Sequence, residues 1–112
     1  MSAMKEGVGL FEQAVLIACI RLGSAAYGRA ILNEVEHRLA RSVSAGAIYS
    51  TLERLESKGF VSSELGPGTA IRAGRARRYF APTATGIRAL NDTKATTDSL
   101  WRGIRLPLKV GA

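Results

Sequence analysis

The apolar and polar positions of this chain divide it into helical segments with a short strand-like region between the third and the fourth. Leu10 to Leu22 is apolar around almost its whole circumference, which predicts a helix buried on more than one side. Ser24 is positioned to cap a second helix. Along that helix apolar side chains recur at four-residue spacing, the stripe of a helix with one packed face: Tyr27, Ile31, Val35 and Leu39.

A third helix is predicted from Ala45 to Lys58, with Ser44 as its N-cap and Gly59 as its left-handed C-terminal residue. Its packed face follows the helical period: Ile48, Leu52 and Leu55. The opposite face is small and polar: Gly46, Ser50, Glu53, Arg54 and Ser57. A face without bulky apolar groups can lie close against another surface.

After Gly59 the period changes, and two strands are predicted at 60–65 and 77–81. Gly-Pro-Gly at 66–68 is a turn signal between them. Four arginines lie in the connection and at the start of the second strand: Arg72, Arg75, Arg77 and Arg78. The region is therefore predicted to be a basic β-hairpin. Pro82 lacks a backbone donor, so we expect the second strand to end early.

A last helix is predicted to begin at Ala84, capped by Thr83, and to run until Pro107 ends the pattern. Residues spaced alternately three and four apart form a loose heptad, apolar at both ends and polar in the middle at Lys94 and Thr97: Ile87, Leu90, Lys94, Thr97, Trp101 and Ile104.

The 112 residues are enough for one domain with one core. Sixteen Lys and Arg against nine Asp and Glu leave a net charge of +7, which attracts polyanions such as nucleic acid or an acidic membrane surface. The arginines cluster on a hairpin and not along an amphipathic helix, which argues against a membrane partner. The apolar stretch 14–20 is too short to span a bilayer, and no signal peptide is apparent. We therefore expect a cytoplasmic protein.

The sequence offers no catalytic pattern. It has no Cys/His metal spacing, no phosphate-binding P-loop, no nucleophile elbow and no paired carboxylates in an apolar setting. Cys19 lies in an apolar run and is expected to be a buried, inert thiol, and His37 is expected to be a solvated helix residue. We therefore expect neither an enzyme nor a cofactor or metal site.

The order of elements predicts a mostly α (α+β) fold, a winged helix-turn-helix over residues 1–82 with a C-terminal dimerisation helix and tail over residues 83–112. In this fold the third helix is presented to the major groove of double-stranded DNA. Ser50 and Arg54 have hydrogen-bonding groups suited to base edges, and the helix N-terminus at 44–46 is suited to a phosphate. The hairpin arginines would reach the backbone or the minor groove.

Four segments together resemble the PadR family of transcriptional regulators: AYG (26–28), SAGAIYSTLERL (44–55), ESKGFV (56–61) and GRARRYFAPTATG (74–86). The resemblance covers about residues 10–90, and the short tail is similar to the compact branch of the family with a single C-terminal helix. It implies a homodimer that binds an inverted-repeat operator and represses a nearby gene. Many relatives release DNA when a small aromatic or lipophilic compound binds.

Spacing and resemblance together predict a set of DNA-contacting residues: Ser44, Gly46, Tyr49, Ser50, Arg54, Arg72, Arg75, Arg77 and Arg78. The predicted dimer interface comprises Leu10, Val15, Leu90, Trp101 and Ile104. Trp101 has two interpretations, a hydrophobic anchor between the two chains or a platform on which a flat effector stacks. The alternative to a specific repressor is a non-specific architectural or accessory module that contacts only the DNA backbone.

Overall fold

The computed structural model describes residues 7–66 and 77–107. Within them the chain forms four α-helices and one antiparallel sheet of two strands. The elements follow in the order α1 (Leu10–Leu22), a 3-10 turn (Gly23–Ala25), α2 (Gly28–Leu39), α3 (Ala45–Ser57), β1 (Val61–Leu65), β2 (Arg78–Pro82) and α4 (Ala84–Trp101). This arrangement confirms the predicted mostly helical winged helix-turn-helix.

The core lies where α1 packs on α2 and α3, and the inner face of the sheet closes it. The central side chains are fully or almost fully buried: Val15, Leu16, Cys19, Ile31, Val35, Ile48, Leu52, Leu55, Val61 and Phe80. Burial raises the pKa of the Cys19 thiol to about 12, so this thiol stays protonated at neutral pH. Val15 has no exposed surface. Its prediction as a dimer contact is therefore wrong, because it is fully buried within its own chain.

The helix caps are set by local chemistry, with one exception. The Ser44 hydroxyl accepts a hydrogen bond from the Ala47 N–H at 3.0 Å, as predicted. Gly59 has a φ of 79°, the left-handed conformation expected after α3. The prediction that Ser24 caps the second helix is wrong, because Ser24 lies in the 3-10 turn and α2 begins at Gly28 behind Tyr27.

The segment before α2 is extended because it is bound to the sheet. The Phe80 N–H donates to the Ala26 carbonyl at 2.8 Å, and Tyr27 forms an antiparallel bridge with Tyr79. Tyr27 is therefore joined by a single bridge to the hairpin of β1 and β2, which we call the wing, and it is not part of the apolar stripe of α2.

The two long strands pair from Val61 opposite Pro82 to Leu65 opposite Arg78. The early end predicted at Pro82 is wrong, because β2 includes Pro82 and the pairing continues beyond it. The Thr83 N–H donates to the Phe60 carbonyl at 3.0 Å, so the proline sits between two paired positions. The remainder of the predicted Gly-Pro-Gly turn lies outside the described residues.

Helix α4 is attached to the rest of the fold at its beginning and near its middle. Thr83 caps it by accepting from the Gly86 N–H at 3.0 Å, as predicted. Farther along, the Val8 N–H donates to the Thr93 hydroxyl at 3.0 Å. The helix ends at Trp101, earlier than the predicted stop at Pro107, because Gly103 turns the chain with a φ of 77°.

Candidate nucleic-acid interface

Helix α3 turns a stripe of four exposed residues away from the core, and we call it the outward stripe: Gly46, Ser50, Glu53 and Ser57. Their spacing of four, three and four residues keeps them on one face of a helix with 3.6 residues per turn. Apart from its chain neighbours and the adjacent backbone of α3, no described atom lies within 4 Å of the position where a Cβ of Gly46 would stand. The Ser50 hydroxyl donates to the Ala47 carbonyl at 3.4 Å, so the Ser50 side chain stays close to the helix surface. The stripe is therefore a shallow, open polar surface.

Arg54 lies beside the outward stripe, on the side of α3 that faces α1. Its Nε is 3.3 Å from the Glu12 Oε2 and its Nη2 is 3.3 Å from the Thr51 hydroxyl. Lys58, one turn later, brings its Nζ to 3.1 Å from the same Glu12 oxygen. Arg54 was predicted to face bases, and in this structure its guanidinium is paired within the chain.

Glu12 is the acceptor of this network, and only 12% of its side chain is exposed. Burial by itself raises the pKa of Glu12. Hydrogen bonds from Lys58, Arg54 and the Gly9 N–H outweigh burial and hold the pKa below its ordinary value of 4.5. The carboxylate thus links α1 to two cations of α3. The role of Glu12 could not be predicted from the sequence, because its partners Arg54 and Lys58 lie 42 and 46 residues farther along the chain.

Tyr49 lies on the other side of the stripe, against the first turn of α2. Its ring and hydroxyl occupy the space that a Cβ at Gly28 would need, so a residue larger than glycine there displaces the tyrosine. Half of the Tyr49 surface stays exposed, at 51%. This contact explains the glycine of the AYG segment and joins α2 to α3.

Arg77 stands over the residue that precedes Gly28. Its guanidinium carbon is 4.0 Å from the centroid of the Tyr27 ring, the distance of a cation–π contact. Tyr79 meets the same ring edge-on, with the centroids 5.8 Å apart. The wing arginine and the α3 tyrosine therefore contact adjacent residues, Tyr27 and Gly28, at the beginning of α2.

Arg78 and Ser63 lie on the face of the sheet that also carries Phe80, because alternate residues of a strand share a face. Its Nη1 donates to the Ser63 hydroxyl at 3.1 Å, and that hydroxyl donates to Glu56 Oε2 of α3 at 2.8 Å. This chain of hydrogen bonds ties the wing to α3. Of the other predicted residues, Ser44 is exposed at the start of α3, whereas Arg72 and Arg75 lie outside the described residues.

The predicted dimer and effector residues lie on α1, on α4 and in the segment that follows α4. Leu10, Trp101 and Ile104 are largely exposed, at 71%, 54% and 57%, whereas Leu90 packs partly against the core. Ile104 lies beyond the end of α4, in the segment that follows the turn at Gly103. Two further exposed leucines near the C-terminal end of α4 were not predicted: Leu100 and Leu106.

Within residues 7–66 and 77–107, none of the helices is long and apolar enough to cross a membrane. Within the same ranges no group of three or more His, Cys, Asp or Glu side chains is placed to hold a metal ion.

Comparison with known proteins gives consistent results for fold and family. No curated protein matches the chain. Among solved structures, a PadR family transcriptional regulator from Eggerthella lenta is 28% identical, with a TM-score of 0.63 over 80% of this chain and 75% of that one. A PadR family transcription regulator from Clostridium difficile is also 28% identical, with a TM-score of 0.58 over 84% and 88% of the two chains. The family described as "Transcriptional regulator PadR-like family" matches residues 16–92, more than half of the sequence, and the chain therefore belongs to the PadR-like family of transcriptional regulators.

Proposed function

We propose that this PadR-like regulator is a cytoplasmic, homodimeric repressor that binds an inverted-repeat operator in double-stranded DNA and responds to a small aromatic or lipophilic effector. The observation that carries the proposal is one continuous polar surface. It runs from the outward stripe of α3, across Tyr49 and the first turn of α2, to Arg77 on the wing.

This surface has the two parts that sequence-specific DNA binding requires. The outward stripe is shallow and rich in hydroxyl groups, so α3 can enter a major groove and bring Ser50 close to base edges. Arg78 begins β2 and Arg77 directly precedes it, and in our proposal both contact phosphates together with Arg72 and Arg75 of the hairpin connection. Phosphate contacts set the position of the protein on DNA, and base contacts set its specificity.

Two helix N-termini add to the phosphate contacts. Ser44 and Gly46 are exposed in the first turn of α3, where unpaired amide groups and the helix dipole favour an anion. Helix α2 begins behind Tyr27 without a side-chain cap, and Arg77 stands over that tyrosine. The N-termini of α2 and α3 border the same surface, which supports the proposal that the DNA backbone runs across it.

In the proposed homodimer, residues 1–82 form the DNA-binding domain and residues 83–112 the dimerisation helix and tail. Exposed apolar side chains support this division, because they lie on α1 and at the end of α4: Leu10, Leu100, Trp101, Ile104 and Leu106. Two-fold symmetry would present one α3 to each half of an inverted repeat. Trp101 is proposed as a contact of the partner chain, of the effector, or of both.

The test is a binding titration with the DNA upstream of the protein's own reading frame and a shuffled duplex of the same composition. We expect tighter binding to the upstream DNA and a footprint with two-fold symmetry. With six to ten phosphate contacts the affinity would fall by about 10³ to 10⁵ between 50 and 200 mM salt. Equal affinity for the two duplexes would show that specific repression is the wrong function.

A second candidate is a non-specific module that contacts only the DNA backbone. The pairing of Arg54 with Glu12 favours it, because a guanidinium bound within the chain must leave that partner to read a base. Arg54→Ala separates the two. A specific repressor loses about 1–3 kcal/mol on its operator and relaxes one base position, whereas a backbone-only module loses the same affinity on every sequence.

A further inference from the structure

The outward stripe carries a single charge, and that charge is negative. Glu53 is exposed at the middle of the stripe, between Ser50 and Ser57. Arg54 of α3 and Lys58, the residue that follows α3, are paired with Glu12 of α1. Within the described ranges, Glu53 has neither a hydrogen-bond partner nor an ion pair. The face of α3 proposed to enter the DNA groove therefore presents a free carboxylate.

A carboxylate in the major groove discriminates strongly between base edges, because it only accepts hydrogen bonds. Guanine offers the acceptors N7 and O6, thymine offers O4, and adenine offers N7. All of them repel the carboxylate, as do the phosphates. The groups that attract it are the amino groups of cytosine, N4, and of adenine, N6. The two donors differ in their surroundings, because adenine N6 lies between two acceptors of its base pair and cytosine N4 has an acceptor on one side only.

The stripe allows the close approach that this contact needs. Gly46 has open space around it, and Ser50 and Ser57 are short, so none of them holds the helix away from the bases. From Ser50 to Ser57 the helix rises about 10 Å, at 1.5 Å per residue, which spans about three base pairs. Glu53 lies at the centre of that span.

From this placement we propose that Glu53 is a specificity-determining residue that selects cytosine at one position in each half of the operator. The inference rests on the proposed function, because it presumes that α3 enters the major groove. It adds Glu53, the only charged side chain of the outward stripe, to the base contacts proposed for Ser50 and Arg54, and it treats Gly46 and Ser57 as small neighbours that permit the approach.

The experiment uses the full-length protein and its footprinted upstream duplex, with every base pair under α3 changed in turn to the other three. Dissociation constants are measured by fluorescence anisotropy at a fixed salt concentration. For the wild type we expect cytosine to be preferred at one symmetric pair of positions by about 5- to 140-fold. In Glu53→Gln the amide both donates and accepts, so we expect the preference to move to adenine, which glutamine binds through N6 and N7.

Glu56→Gln is the matched control. Glu56 is exposed on the same helix, but its carboxylate faces β1 and accepts from Ser63. Both substitutions add one unit of positive charge and raise the affinity for any DNA to a similar extent. Only Glu53→Gln is expected to change the base preference.

Two results would overturn the inference, and they can be told apart. A wild type that binds its upstream duplex selectively, with the same base preferences in Glu53→Gln as in Glu56→Gln, removes Glu53 from recognition and leaves the repressor proposal standing. A wild type that binds all duplexes equally removes both.

Discussion

At Gly86, helix α4 packs closely against the backbone of Phe60, and Gly86→Ala tests this contact. A Cβ at this position would lie 3.1 Å from the Cα of Phe60 and 3.0 Å from its carbonyl carbon, and would overlap the carbonyl oxygen. These atoms belong to the backbone and cannot rotate away. A hydrogen bond also joins the start of α4 to this segment, because the Thr83 hydroxyl donates to the Gly59 carbonyl at 2.6 Å.

Two opposing terms set the magnitude. Inserting a methyl group into a packed contact costs about 1–3 kcal/mol, and more where backbone must move. Replacing glycine by alanine within a helix raises the free energy of unfolding by up to about 1 kcal/mol, because alanine has the higher helix propensity. We therefore expect Gly86→Ala to lower the free energy of unfolding by about 1–2 kcal/mol. In a domain of this size each kcal/mol lowers Tm by about 4–8 °C.

The assay is thermal unfolding followed by circular dichroism at one protein concentration, because the Tm of the proposed homodimer would depend on concentration. Gly46→Ala is the control, since it makes the same substitution in the first turn of α3, where the new methyl group meets no described atom within 4 Å beyond its chain neighbours and the adjacent helix backbone. We expect the control to be unchanged or stabilised. A Gly86→Ala protein that melts at or above the wild-type temperature would refute the close contact between α4 and Phe60.

Three further predictions follow from single contacts. Glu12→Gln removes the negative charge that pairs with Arg54 and Lys58 and should cost about 0.5–1.5 kcal/mol, since both cations are partly solvated. The folded pKa of Glu12 is lowered, so this contribution is complete above pH 4.5 and is lost as the pH falls through the folded pKa. Urea titrations at pH 7 and pH 3 should therefore show a smaller wild-type advantage at pH 3 than at pH 7, and an equal advantage at both would contradict the ion pair. The Cys19 thiol, with a pKa of about 12, should not react with a disulfide reagent at pH 8 until the protein unfolds, and prompt reaction would place it at the surface. Trp101→Ala should weaken dimerisation in sedimentation experiments; if dimers persist but aromatic compounds no longer bind, Trp101 is an effector contact and not an anchor.

Much of the fold was predictable because helices are determined by near neighbours. The stripe of apolar residues in α3, the hydroxyl of Ser44 and the left-handed Gly59 all act within a few residues of each other. The bounds of α1 and α3 could therefore be assigned to within one residue. Periodicity also separated the packed face of α3 from its polar face, which located the candidate site.

The wrong predictions for Ser24 and Val15 concern positions where contacts with a distant segment of the chain outweigh the local sequence pattern. Ser24 has good capping chemistry, but the Ala26 carbonyl is taken by the N–H of Phe80, and α2 starts only after that bond. Val15 is on the same apolar helix as surface residues, and only the packing of α2 and α3 decides which side is covered.

By itself the sequence determined which segments are helices, which face of α3 is polar and where the basic hairpin lies, because spacing and capping act over a few residues. Only the tertiary structure decided which charges of α3 stay free. Arg54 and Glu53 are neighbours in sequence, yet α1 brings Glu12 within 3.3 Å of one and leaves the other exposed. That choice depends on the packing of two helices, and a charge that finds a partner across such a contact differs in chemistry from one that does not.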